Sequence, residues 1–176
     1  DMGSSLVENT GTDADTVDMV QAFKAKGFSM NQTVADMYEA LQPTFKSEVQ
    51  SWGGTIEYNH ITAPSTTGVF SSKEPSQAAL DGQDAAWKDS MNDNNVMIVT
   101  IARSASENGT YQPGTAGVDP TQNLNQTDPL GLSDDERDLI NAAVTAKASN
   151  GGKVIVLLNN ASAMEVQEIQ DNDGVD

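Results

Sequence analysis

Residues Asn95–Ala102 read NVMIVTIA and form a nearly continuous apolar run. A run of this kind is typical of a strand inside a parallel sheet that is covered on both faces. A second apolar run, KVIVLL, occupies Lys153–Leu158. Because an amphipathic segment separates the two runs, the sequence predicts a β-loop-α-β unit with parallel strands and a right-handed crossover. The predicted fold class is α/β, with a mostly parallel central sheet flanked by helices.

The segment between the two runs has clear helix boundary signals. Ser133, followed three residues later by Glu136, makes a capping box that predicts a helix start. The helix is expected to reach about Ser149, because Asn150-Gly151-Gly152 ends it. Its apolar stripe consists of Leu139, Ile140, Ala143 and Val144.

Two further helices are predicted near the start of the chain. The first is capped by Asp15 or Thr16 and stops at Gly27, after which Phe28 fits the hydrophobic contact that often follows a glycine stop. The second covers Thr33–Leu41, where apolar residues recur at helical spacing.

The middle and the end of the chain carry weaker signals. Residues Thr44–Ser76 are rich in Ser, Thr, Gly and Pro and are interpreted as surface connection, with at most a short strand at Thr55–Tyr58. A helix over Gln77–Met91 is expected to lead into the first strand. Ser162 is predicted to cap a last short helix, and Asp173–Asp176 resembles a turn into a further strand.

Composition excludes several classes of function. Nine basic and 26 acidic residues give a net charge of −17, which disfavours contact with nucleic acid or anionic membrane. The chain has no cysteine, which excludes a disulfide scaffold and a thiol nucleophile, and no apolar stretch long enough to span a bilayer. His60 is the only histidine, which excludes multi-histidine metal sites. No cofactor is predicted. The acidity is typical either of a protein kept soluble in a salty or extracellular setting or of a proteome-wide bias, so the localisation stays open between an extracellular or cell-surface setting, which is slightly favoured, and the cytoplasm.

Glu107 is the candidate site residue. It stands in the polar segment Arg103–Thr110, directly after the first predicted strand. Ligands of parallel sheets collect at the carboxyl ends of strands, and long irregular loops in compact domains are often functional. The alternative interpretation is a solvated surface glutamate.

Four motifs occur in an order that resembles a known family. They are Gly3-Ser4-Ser5 with Val17–Phe28, the strand leading to Arg103 and Glu107, the helix start Leu132–Glu136, and the strand with small residues Lys153–Val166. This succession resembles the α/β sandwich domain of glycoside hydrolase family 3, which contains β-glucosidases and related exo-acting enzymes.

The resemblance implies a fold, a partner and a reaction. In the family, the sandwich packs against a TIM-like barrel that supplies an aspartate nucleophile, while a sandwich loop supplies a glutamate general acid/base. Glu107 stands at the matching position. Residues 1–176 are therefore expected to form one sandwich domain, incomplete at both ends, of a retaining exo-acting β-glycosidase that hydrolyses terminal β-linked sugars. The expected partners are the carbohydrate substrate and the barrel, without which the chain is predicted to be inactive.

The motif after Glu107 departs from the family pattern. Many members have Gly-Glu-Gly followed by an aspartate and a basic residue, whereas Ser106–Gln112 read SENGTYQ. Glu165 is interpreted as a helix-start residue. Two alternatives stay open: a carbohydrate-binding or scaffolding module without catalysis in a larger extracellular protein, and an unrelated flavodoxin-like or response-regulator-like domain. The latter is disfavoured because the chain lacks a phosphate-cradling glycine loop.

Overall fold

A computed structural model of the chain gives an α/β fold. It describes residues 19–41, 47–51, 54–58, 62–64, 70–72, 74–103, 130–160 and 163–176. The elements are α1 (Met19–Ala25), α2 (Gln32–Leu41), β1 (Ser47–Ser51), β2 (Gly54–Tyr58), β3 (Thr62–Pro64), β4 (Phe70–Ser72), α3 (Gln77–Gln83), α4 (Trp87–Ser90), a 3-10 turn (Met91–Asp93), β5 (Val96–Arg103), α5 (Asp134–Asn150), β6 (Lys153–Asn160) and α6 (Gln167–Gln170).

The two apolar runs form a parallel pair, as predicted. β5 pairs with β6 in a register that begins at Val96 opposite Lys153 and ends at Arg103 opposite Asn160. The Lys153 amide donates to the Asn95 carbonyl at 2.8 Å, which extends the pairing by one residue. The predicted strands are therefore confirmed as direct neighbours.

α5 begins and ends at the predicted signals. Its N-cap is Ser133, and its C-cap is Gly151, which has a φ of 71° in the left-handed region that favours glycine. The Gly151 amide donates to the Lys147 carbonyl at 2.7 Å. One residue earlier, the Asn150 side-chain amide donates to the Asn94 carbonyl at 2.7 Å, so the end of α5 is attached to the amino end of β5.

The core lies between α5 and one face of the parallel pair. The apolar run in β5 alternates in burial, because successive side chains of a strand point to opposite faces. Val96, Ile98 and Ile155 on the other face are 46, 36 and 38% exposed. In the described residues, burial is therefore strong on one face of these strands and partial on the other. The buried side chains that β5, β6 and α5 contribute to this core are Met97, Val99, Ile101, Ile140, Ala143, Ala146 and Val154.

The glycine stop after α1 is confirmed. Gly27 has a φ of 86°, and its amide donates to the Lys24 carbonyl at 3.0 Å. The Phe28 amide donates to the Phe23 carbonyl at 3.1 Å, which completes a Schellman motif. The Phe23 and Phe28 rings meet edge to face at 5.5 Å, and this is the predicted hydrophobic contact. The predicted caps Asp15 and Thr16 lie outside the described residues.

α2 confirms the second predicted helix and shows a cap that the sequence analysis missed. The Asn31 side-chain oxygen accepts from the Val34 amide at 3.1 Å. The Asn31 side-chain amide donates to Ser90 Oγ at 2.9 Å and to Asn94 Oδ1 at 2.7 Å. Asn31 thereby attaches the start of α2 to the amino end of β5.

The predicted single helix over Gln77–Met91 is wrong. The chain forms α3 and then α4, and between them Asp84 is extended, with a φ of −151°. The Asp84 carboxylate accepts from the Ala86 amide at 2.8 Å, a local hydrogen bond that competes with helix continuation. Trp87 follows, is 1% exposed, and donates from its indole nitrogen to Asp81 at 2.9 Å.

Two hairpins lie within Thr44–Ser76, so the prediction that this stretch is surface connection with at most one short strand is wrong. β1 pairs antiparallel with β2, and β3 pairs antiparallel with β4. The predicted strand Thr55–Tyr58 is confirmed as part of β2, but the other three strands were missed. They are three to five residues long, too short for a clear alternating pattern.

The last helix begins later than predicted. α6 follows Val166, which makes no side-chain cap, and Ser162 lies outside the described residues. The predicted turn after α6 is present, with the Val175 amide donating to the Asn172 carbonyl at 2.9 Å. The Asp176 amide then donates to the Val154 carbonyl at 2.8 Å, on the edge of β6.

Candidate functional site

The carboxyl ends of β5 and β6 and the start of α5 lie at one edge of the fold. The end of α5 is attached to Asn94 at the amino end of β5. The 17 residues of α5 span about 25 Å at about 1.5 Å per residue, so Asp134 lies at the opposite end of the pair. The edge formed by the carboxyl ends of β5 and β6 and the start of α5 is named the carboxyl edge. Parallel sheets bind their ligands at such an edge.

Two segments meet at the carboxyl edge through their backbones. The Glu165 amide donates to the Leu130 carbonyl at 2.9 Å, which joins the approach to α5 to the segment after β6. The Glu165 side chain is exposed. Because α6 begins at Gln167, Glu165 lies at a helix start, as its sequence context indicated.

Glu107 lies outside the described residues, as do His60 and the departure motif Ser106–Gln112. The structure describes the strand that precedes Glu107 up to Arg103, opposite Asn160 in β6. It describes the chain again from residue 130. The catalytic role of Glu107 therefore stays a prediction.

Asn160 has an unused acceptor at this edge. Its side-chain nitrogen donates weakly to Met164 Sδ at 3.4 Å, and its Oδ1 is buried without a hydrogen-bond partner. A buried acceptor without a partner costs about 1–3 kcal/mol. A donor group placed at the carboxyl edge would remove that cost. The sequence feature that could have indicated this acceptor is the position of Asn160 just after the apolar run of β6.

Tyr38 and Glu74 form a second feature of interest, which the sequence analysis missed. The Tyr38 hydroxyl donates to Glu74 Oε1 at 2.5 Å and joins α2 to the segment before α3. The pKa of Glu74 is raised to about 7: burial is the largest cause, the Tyr38 hydrogen bond acts in the opposite direction, and the charges of Glu136 and Asp135 add to the rise. Burial, followed by the charge of Glu74, also raises the pKa of the Tyr38 hydroxyl.

Asp135 and Glu136 are two more buried carboxyl residues, and their charges act on Glu74. They are 7 and 5% exposed and stand in the first turn of α5. Nearby, the Gln77 side-chain amide donates to the Asp138 carbonyl at 2.9 Å, so the start of α3 contacts α5 directly. The capping box identified Glu136 as a backbone partner, but nothing local indicated Glu74.

Two kinds of feature are absent from the part of the chain that the structure describes. No group of three or more His, Cys, Asp and Glu side chains there is arranged to hold a metal ion. No helix there has the length and apolar character needed to cross a membrane.

The parallel pair, the helix that crosses over it and the flanking helices define an α/β fold of the sandwich type. Structures of β-glucosidase 3B from Thermotoga neapolitana, one in complex with α-D-glucose and one with glycerol, have the same fold. Each has 23% sequence identity, covers 91% of this chain and has a TM-score of 0.54. A third, in complex with glucose, has a TM-score of 0.53. The predicted fold is thereby confirmed.

The chain spans 18% of the length of that β-glucosidase. No protein-family model and no curated protein matches the sequence. The likeness at 23% identity shows the fold of this chain.

Proposed function

We propose that the chain is the acid/base-supplying domain of a retaining, exo-acting β-glycosidase of the β-glucosidase type. The observation that carries the proposal is the shared fold with a β-glucosidase over 91% of the chain. The ordered motifs of the sequence support the same assignment, because they resemble those of the sandwich domain of glycoside hydrolase family 3. The proposed substrate is a carbohydrate with a terminal β-linked sugar.

Glu107 is the proposed general acid/base. It follows the last residue of β5, Arg103, by four positions in sequence. Segments that leave the carboxyl end of a parallel strand commonly carry catalytic residues. The short spacing favours a position for Glu107 near the edge where α5 begins.

The proposed chemistry requires a second carboxyl group from another domain. A retaining glycosidase holds its two carboxyl groups about 5–5.5 Å apart, one as nucleophile and one as acid/base. Glu107 would protonate the leaving oxygen and then remove a proton from the attacking water. A TIM-like barrel in the same parent polypeptide would supply the aspartate nucleophile. The sugar would then lie between the two domains, where ligand sites are common.

The test is Glu107→Ala in the parent enzyme, with Glu165→Ala as the matched control. Substrates with very good leaving groups need no proton, so glycosyl-enzyme formation from them should be spared. The rate of turnover of natural glycosides should fall by about a hundredfold or more, in line with usual acid/base contributions. Azide should restore turnover of activated substrates and yield a β-glycosyl azide, because the anion attacks without a general base. The control should retain activity, since the Glu165 side chain is exposed at a helix start.

A second candidate function is a carbohydrate-binding module without catalysis. The observation that favours it is the sequence SENGTYQ at Ser106–Gln112, which lacks the acidic and basic pair of the family pattern. In that case Glu107→Ala would lower activity on all substrates equally and give no azide product. Binding of glucose to the 176-residue chain, together with such a uniform loss, would support the module.

A further inference from the structure

Asn150 and Gly151 form one of the two Asn-Gly pairs in the sequence, the other being Asn108-Gly109. An asparagine that precedes glycine is especially prone to deamidation, because glycine has no Cβ to hinder ring closure and its backbone is the most permissive. Asparagine is accordingly one of the thermolabile residues. Asn150 is the last residue of α5 and Gly151 is its C-cap, and both are exposed, so water reaches this pair.

The folded chain holds both reacting groups of the pair in hydrogen bonds. The Gly151 amide, which would be the nucleophile, donates to a carbonyl in the last turn of α5 at 2.7 Å. The Asn150 side-chain nitrogen, which would be the leaving group, donates to the Asn94 carbonyl at 2.7 Å and to the Asn92 carbonyl at 3.0 Å. Asn150 Oδ1 accepts from the Gly152 amide at 2.7 Å. These hydrogen bonds together are named the Asn150 clamp.

Gly152 allows the clamp to close, because a side chain there would not fit. A Cβ at Gly152 would lie 2.8 Å from Asn150 Oδ1, 2.8 Å from the Asn95 carbonyl oxygen and 3.2 Å from the Asn94 carbonyl oxygen. The Asn95 carbonyl accepts from the Lys153 amide at 2.8 Å, so it is fixed at the start of the parallel pair. The closed clamp therefore requires a residue without a side chain at Gly152.

We propose that Asn150 is a deamidation site and that the clamp controls its rate. In the open state the Gly151 backbone nitrogen loses its proton to solvent and attacks Asn150 Cγ. The N–Cγ bond forms, the Cγ–Nδ2 bond breaks, and Nδ2 takes up a proton from solvent and leaves as ammonia. Water then opens the succinimide at either carbonyl and leaves aspartate or isoaspartate at this position. The site does not depend on the glycosidase assignment.

Opening of the clamp is a local event. Ala148, Ser149 and Asn150 are exposed, and the buried residues of α5 end at Ala146. The last turn can therefore fray without unpacking the core, as helix ends commonly do. Local openings of this kind cost less free energy than global unfolding. Deamidation of the folded chain is therefore expected to be slow but measurable.

The product of the reaction cannot re-form the clamp. A carboxylate has no N–H to donate, so the Asn92 and Asn94 carbonyls would lose their donor and face a negative charge. The new charge would also lie at the C-terminus of α5, where the helix dipole disfavours it. Deamidation is therefore expected to detach the end of α5 from the amino end of β5.

The site can be tested by incubating the full 176-residue chain in mildly alkaline buffer, with and without enough urea to unfold it. Mass spectrometry of the peptide that contains Asn150 measures its deamidation separately from that of Asn108. The rate at Asn150 should be about tenfold or more lower in the folded chain, because the reaction requires local opening. Equal rates would show that the clamp does not control the site. Absence of product in urea would show that Asn150 is not a deamidation site.

Gly152→Ala tests the clamp itself. It should raise the rate in the folded chain towards the rate in urea and leave the rate in urea nearly unchanged, since the Asn150-Gly151 pair is intact. The matched control is Gly82→Ala, where an added Cβ meets nothing within 4 Å, and it should behave as the wild type. An unchanged rate in Gly152→Ala, or an equal rise in both variants, would contradict the clamp.

Asn150→Asp carries the product of the reaction and tests its consequence, whether or not Gly152→Ala folds. Its urea midpoint should be lower than that of the wild type, because the clamp has lost its donor. Asn141→Asp makes the same change at an exposed position of the same helix and should lower the midpoint less. Equal midpoints of these two variants would overturn the inference that deamidation opens the clamp.

Discussion

Ser133 and Glu136 each satisfy the backbone amide of the other. The Glu136 amide donates to Ser133 Oγ at 3.1 Å, and the Ser133 amide donates to Glu136 Oε2 at 2.8 Å. Both residues are buried, at 5% exposure each, so neither amide can rely on water. This reciprocal pair fixes where α5 begins, and with it one side of the carboxyl edge.

Ser133→Ala should destabilise the fold by about 0.5–2 kcal/mol, the usual cost of losing an N-cap side chain. The upper part of that range is expected, because the Glu136 amide would lose its acceptor in a buried position. Urea denaturation measures the change. The matched control is Ser149→Ala near the other end of α5, where the side chain is exposed and the change should stay within about 0.5 kcal/mol.

The two faces of β5 should respond differently to the same substitution. Ile101 is 2% exposed and belongs to the core, whereas Ile98 is 36% exposed on the opposite face. Ile101→Ala should cost about 2–5 kcal/mol in the free energy of unfolding, the range for truncating a buried isoleucine. Ile98→Ala should cost at most about half as much, because it leaves a smaller cavity. Equal losses would mean that the Ile98 face is covered in solution.

The parts of the fold that the sequence predicted are those specified by local signals. The capping box at Ser133 and the left-handed glycines Gly27 and Gly151 act through residues within one turn of helix. Their hydrogen bonds form wherever the helix forms, so sequence alone locates them. The parallel pairing of β5 and β6 was likewise predictable, because two apolar runs separated by a single helix are typical of parallel strands joined by a crossover.

The errors have identifiable physical causes. The helix breaks after α3 at Asp84, whose carboxylate accepts a hydrogen bond from the Ala86 amide. This local hydrogen bond competes with continuation of the helix. The environment of Glu74 includes the hydroxyl of Tyr38, 36 residues earlier, and the charges of Glu136 and Asp135 on α5, which comes much later in the chain. Contacts between residues this far apart in the sequence leave no local sequence pattern from which they could be predicted. Glu107 was identified by its position after a strand and by a family resemblance, and its role is still a prediction.

Asp176 should stabilise the fold in a pH-dependent way. Its carboxylate accepts from Lys147 at 2.5 Å, from Lys153 at 2.7 Å and from the Val154 amide at 2.9 Å. These hydrogen bonds, with that of Lys147 the largest cause, lower the pKa of Asp176 from its ordinary value of 3.8. Because the folded-state pKa is the lower one, the stabilisation is present above pH 3.8 and is lost as the pH falls through the folded-state value.

Asp176→Asn should therefore lower the urea midpoint at pH 7, and the difference from the wild type should shrink as the pH falls below 3.8. Added salt at pH 7 should reduce the difference, because the ion pairs are partly exposed. Asp173→Asn makes the same charge change at an exposed position and should leave the midpoint nearly unchanged. A loss that is the same at pH 7 and pH 3 would show that Asp176 acts through packing alone.

The 176-residue chain alone should fold but should not hydrolyse aryl β-glycosides. A general acid without its nucleophile and without the groups that position the sugar loses most of the barrier reduction, because these effects are strongly non-additive. The measurement is release of nitrophenol from β-glycosides by the purified chain, compared with the Glu107→Ala chain prepared in parallel. Equal nitrophenol release by the wild-type chain and the Glu107→Ala chain would indicate a contaminating enzyme. Turnover that the wild-type chain retains and the variant loses would contradict the two-domain proposal. It would also require a second carboxylate within this chain, with Asp119, Asp128 and Glu165 the first to substitute.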